Sequence, residues 1–216
     1  MIKKKSMEVS LVAIVIFLIG VISNIVCTKW KLTGMIPGII YYLLLILTII
    51  FVVKIYEKEI MKSLGLYTNN LKKQILIGVA IFLALTLVTI IPLLMGVSKQ
   101  EVLNFKPKSV FILVFFIFYD ICLVGFGEEL IFRGYFLERI NTILDSKIWA
   151  VIISSILFGL YHYPNNHNIT QVISATILGI IFSICKLKIS KCGLISLALA
   201  HGLNDAFIIF LGYVLL

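Results

Sequence analysis

Three short segments hold the residues able to do chemistry. Glu128, Glu129 and Arg133 stand in GFGEELIFRGYF, His162 closes LFGLYH, and His201 and Asp205 stand in ALAHGLND. Each segment lies in or at the end of an apolar run, where a charged side chain costs about 2.5–3.5 kcal/mol at mid-bilayer on insertion scales. Glu129 and Arg133 are four apart, so they share a helix face and can form an ion pair. Glu128 lies about 100° further round, free to point elsewhere. Taken alone, these three read as a structural ion-pair knot, the start of a cytoplasmic loop, or a site. Two histidines and a further aspartate in the same apolar background call for a joint explanation. A carboxylate beside an imidazole in a confined pocket is the equipment for activating water, and its surroundings tune its strength as a base. A second imidazole can donate to the oxyanion of a tetrahedral intermediate. That chemistry is hydrolysis of an acyl bond such as a peptide. No cysteine lies in these segments, and Ser154 and Ser155 read as helix-packing serines.

The elements that must position these groups are membrane helices. A helix needs about 20 apolar residues to cross the hydrocarbon core, and apolar blocks run over roughly 8–27, 35–53, 75–96, 109–138, 148–163, 169–185 and 192–216. This predicts an all-α, polytopic transmembrane bundle of about seven or eight helices, a single integral membrane domain over 1–216. The fourth block has an oddly polar second half, and the last block suggests a broken pair. An amphipathic stretch in 54–74 is expected on the membrane surface, and Pro37 and Pro92 are expected to kink their helices. Counted from the basic connections, Glu128 lies eleven residues from Arg139, about 17 Å of helix. His162 lies fifteen from Lys147, about 22 Å, and His201 ten from Lys191, about 15 Å. Similar depths reached from the same side predict one polar chamber. Asp120, placed in the outer half of its span, is given no catalytic role, and His167 falls in an outer loop.

Composition excludes the main rivals. The chain has 216 residues, is 61% hydrophobic and 13% charged, with a mean hydropathy of +1.13. A soluble domain is roughly 45–50% apolar and about 25% charged, so a water-soluble enzyme is excluded, and disorder with it. The net charge of +9 is spread between apolar blocks rather than gathered in a patch, so nucleic acid is not the expected partner. Cys27, Cys122, Cys185 and Cys192 form neither a zinc ribbon nor a disulfide framework. With the N-terminus cytoplasmic, thirteen lysines and arginines fall inside and five outside, and Arg133 lies within the membrane. The positive-inside rule therefore predicts that orientation, with the chamber opening toward the cytoplasm.

In order along successive helices, Glu128-Glu129-x-x-x-Arg133, Phe158-x-x-x-His162 and His201-x-x-x-Asp205 resemble the CAAX protease and bacteriocin-processing (CPBP, or Abi) intramembrane proteases. The likeness spans roughly 115–205, within a family-like core of about 109–208. It implies that Glu128 and His162 activate the attacking water, that His201 and Asp205 stabilise the oxyanion, and that Glu129 and Arg133 organise the site. The third motif ends in Asn or Asp. An ionised Asp205 cannot donate to an oxyanion, so it is protonated, orients His201 or binds something cationic, or else the adjacent Asn204 donates. Members are commonly labelled metalloproteases. Glu128, His162 and His201 would make a His₂Glu zinc set, but a metal-free glutamate–histidine pair is the favoured reading, with zinc the alternative. The expected substrate is a membrane-associated peptide or lipidated protein, such as a prenylated CAAX C-terminus or a bacteriocin-type leader. The rival readings are a non-catalytic bacteriocin self-immunity protein and a cation-coupled transporter, though the paired halves common in transporters are missing.

Overall fold

A computed structural model describes the chain except at residues 1, 33, 34, 57–59 and 104. At residues 2–4, 56, 60, 61, 101, 165 and 166 it describes the backbone alone. Lys58, counted above on the cytoplasmic side, lies outside the described residues. Helix makes up 85% of the chain and no strand occurs among the described residues. In lipid an unpaired backbone amide has no water to bond, so long apolar segments close their hydrogen bonds internally as helices.

Seven principal helices follow: α1 (Ile2–Trp30), α2 (Met35–Tyr56), α3 (Leu71–Leu94), α4 (Val110–Leu144), α5 (Lys147–Tyr161), α6 (Ile169–Lys188) and α7 (Leu194–Leu215). Six are long and apolar enough to cross a membrane, and α5 is shorter. Side-chain caps fix three starts. Ser109 accepts from the Ile112 amide (3.3 Å), Ser146 from Trp149 (3.5 Å), and Asn168 from Thr170 (2.9 Å) and Gln171 (3.3 Å).

The structure corrects two expectations, the break in the last block and the kink at Pro37, and adds detail elsewhere. The last apolar block is one unbroken helix, α7. Pro37 sits in the first turn of α2, where the amide it lacks would have no intrahelical partner. Pro92 lies in the last turn of α3, its carbonyl accepting from Val97 (3.0 Å). In the 54–74 connection, residues 54–56 end α2, 71–74 begin α3, and the described part between them holds one helical turn, Ile60–Ser63. α4 is composite. α-Helical Val110–Tyr119 gives way to a π-helical turn at Asp120–Val124, then α-helical Gly125–Glu129, a second π-helical stretch at Leu130–Phe136, and α-helical Leu137–Leu144.

The chain forms two compact units. The first comprises 1–67 and 130–190, with α1, α2, the second part of α4, α5 and α6. Here α5 and α6 pack through small residues. A Cβ at Gly159 would collide with Thr176 and the Val172 carbonyl, and one at Gly179 would lie 3.0 Å from Ser155. Ser154 is buried and donates to the Val151 carbonyl (3.4 Å), so both serines belong to this packing. At one end Tyr135 donates to Glu8 of α1 (2.9 Å), and Lys186 pairs with Glu138 (2.6 Å).

The second unit comprises 68–129 and 191–216, with α3, the first part of α4 and α7. Helix α7 is its centre, half buried where the other spans are 17–28% buried. Glycine permits this. A Cβ at Gly78 of α3 would lie 2.7 Å from the Ser196 carbonyl, and one at Gly125 of α4 2.5 Å from the Gly202 amide. A Cβ at Gly202 would lie 2.5 Å from Ile121 Cα. Gly202→Ala is therefore expected to destabilise by about 1–3 kcal/mol through overpacking. Gly20→Ala meets its first neighbour at 3.6 Å and should be neutral or slightly stabilising. Thermal unfolding of the purified protein in detergent checks both.

Candidate active site

In the second unit the approach of α4 to α7 gathers ionisable groups around one imidazole. His201 Nδ1 lies 2.9 Å from Glu129 Oε1. Its Nε2 lies 3.4 Å from Asp205 Oδ2 and 3.7 Å from Glu128 Oε2. A carboxylate can only accept, so Nδ1 is the donor to Glu129. The bond sets the plane of the ring and turns Nε2 toward the other two carboxylates. Glu128, Glu129 and His201 are buried, whereas the Asp205 side chain is 30% exposed and forms the open edge of the group. Asn204 is buried beside it on α7.

Glu128 is not turned away from Glu129's partner, as a regular helix would have it. Both glutamates reach the same ring, one at each nitrogen. They sit at the end of the short α-helical segment between two π-helical turns. Each π turn closes with i→i+5 bonds and re-aims the side chains beside it.

Asp120, given no catalytic role by the sequence, lies beside this group. It opens the first π-helical turn and is buried. A Cβ at Gly202 would lie 2.7 Å from its carbonyl oxygen, so its backbone rests on α7 next to His201. Asp120 interacts electrostatically with Asp205, His201 and Glu128. Eight residues of helix, about 12 Å, separate it from Glu128, and depth alone assigned it elsewhere. The signal available in the sequence was the second acid on α7. Asp205 lies one turn beyond His201, and antiparallel packing carries it back along α4 toward Asp120.

In the first unit Arg133 and His162 share an aromatic neighbour. The Arg133 guanidinium lies 4.4 Å from the Phe158 ring centroid and 5.4 Å from that of Phe182. Phe158 meets His162 edge-on, centroids 4.9 Å apart. His162 caps α5, and its Nδ1 donates to the Phe158 carbonyl (2.9 Å). Because a carbonyl cannot donate, the proton sits on Nδ1, and in the neutral ring the lone pair is at Nε2, the form a base requires. Glu129 and Arg133 fall either side of the division between the units. His167 is exposed, as expected for a loop residue.

Of the alternative zinc ligands, Glu128 and His201 lie in the second unit and His162 in the first. Among the described residues no group of three or more His, Cys, Asp or Glu side chains is arranged to hold a metal ion.

Residues 109–207 match the family model described as Type II CAAX prenyl endopeptidase Rce1-like. The chain matches no curated protein and no solved structure. The matched stretch takes in Glu128, Glu129, Arg133, His162, His201 and Asp205. Of these, Arg133 places its planar guanidinium over the Phe158 ring and near that of Phe182, a contact that a lysine ammonium reproduces less well. Arg133→Lys is expected to destabilise by about 1–3 kcal/mol, read as a lower unfolding temperature.

Proposed function

We propose, from the match of residues 109–207 to the Type II CAAX prenyl endopeptidase Rce1-like family model, that the chain is an intramembrane endopeptidase that cuts membrane-associated peptides with a water activated by Glu128. The observation that carries this reading is the clamped imidazole, with Glu129 on Nδ1 and Glu128 and Asp205 facing Nε2. Glu128 takes a proton from water, and the hydroxide attacks the scissile carbonyl. His201, fixed by Glu129, presents Nε2–H to the oxyanion of the tetrahedral intermediate. Glu128 then returns the proton to the departing amine as the C–N bond breaks. Of the roles open to Asp205, orienting His201 fits its 3.4 Å approach to Nε2. By its motif, His162 shares the activation of water with Glu128. Its bond to Phe158 leaves Nε2 as the basic nitrogen. The resemblance gives Arg133 the task of organising the site, and within the first unit its guanidinium lies over Phe158.

The substrate is a membrane-associated peptide, with a lipidated C-terminus or a bacteriocin-type leader as the candidate forms. The chain is a multi-pass membrane protein, and the basic residues favour a cytoplasmic N-terminus and cleavage on that side. The favoured chemistry uses side chains alone, with zinc on Glu128, His162 and His201 as the alternative. Activity should therefore survive chelation, and a loss restored by zinc would reverse that assignment.

Glu128→Gln keeps the shape and removes the base, so cleavage should fall by about 10²–10⁴-fold. The measurement compares peptide termini in membranes from cells making wild type or Glu128→Gln at matched levels. Cytoplasmic-side termini unique to wild type are expected. Identical termini, with the host phenotype kept by the variant, would replace the protease with a binding or immunity protein.

A further inference from the structure

The second unit holds a carboxylate that the proposed reaction leaves idle. Asp120 is 5% exposed, and its Oδ2 meets no hydrogen-bond donor among the described residues. Glycine lets the backbone carrying it lie directly on α7 at Gly202, one residue from His201. It faces the same group of charges as Glu128, His201 and Asp205. An acceptor this buried is expensive to leave unmet. What completes such a place is a donor that arrives from outside. Asp205, the exposed member, marks the way in.

We propose that Asp120 and Asp205 form a subsite for the cationic side chain of a lysine or arginine in the substrate peptide. The inference rests on the protease reading and names a feature of its substrate. A lysine or arginine suits the place because its apolar stem can cross the helix surface while its tip supplies several N–H donors. A free metal ion suits it less, since the described acids do not converge as ligands. Asp205 lies 3.4 Å from the same His201 nitrogen that Glu128 approaches to 3.7 Å, so the basic residue is expected close to the bond cut.

The test needs no cleavage. The full chain in lipid nanodiscs is titrated with a short N-acylated peptide carrying one lysine, and with the same peptide carrying acetyl-lysine. Wild type should bind the lysine form about tenfold more tightly or better. Asp120→Asn should bring that ratio close to one, while Asp120→Glu, which restores the carboxylate, should keep it well above one. Equal binding of the two peptides by wild type, or an undiminished ratio in Asp120→Asn, would overturn the subsite. So would a preference that vanishes on chelation, because the cation would then be inorganic. A lost preference with cleavage intact sinks the subsite alone, whereas a retained preference with no Glu128-dependent cleavage sinks the protease.

Discussion

Two glycines set the terms for the candidate site. Gly125 on α4 and Gly202 on α7 bring their backbones so close that a Cβ on either would overlap the other helix. Only at that separation do two adjacent glutamates on one helix reach both nitrogens of a single imidazole on the other. The carboxylates are costly in an apolar setting, and His201 stands against both. Helix packing and site assembly are in this sense a single event. The backbone contact gains dispersion energy over the length of α7, and part of that gain offsets the desolvation of the acids.

In the first unit aromatic rings lie against a buried charge. Arg133 is almost wholly buried, yet two phenylalanine faces cover its guanidinium. Phe158 does double duty, stacking on Arg133 with its ring and fixing the proton of His162 with its carbonyl. A side chain that reads as filler thus links a charged residue to an imidazole tautomer. Lys186 extends the pattern, donating to the Arg133 carbonyl (2.6 Å) while pairing with Glu138.

Much of this was open to a reader of the residues. Hydropathy marks the spans to within a few residues, because lipid imposes one length and one backbone solution on each. Glu128, Glu129, Arg133, His201 and Asp205 stand out because charge is rare in such segments. What could not be read follows from packing and local geometry. Asp120 looks isolated until α7 is laid antiparallel on α4, since its neighbours come from residues some eighty positions later. The integrity of α7 was hidden because its glycines and polar residues resemble a break, yet Gly202 meets α4 and Gly212 the Phe105 carbonyl. The shared target of Glu128 and Glu129 was hidden because the rule of 100° per residue assumes an α-helix on both sides.

The two π-helical turns have a bearing on how related chains are compared. Each holds one residue more than an α-helical turn, so α4 carries its polar groups at angles that the residue count does not report. A relative lacking one residue within 120–124 could keep every motif letter and still present its acids to a different neighbour. A one-residue gap there in an alignment would be a rotation of the helix face, not a trimmed loop. Spacing in this part of the span is a mechanical setting as much as a signature.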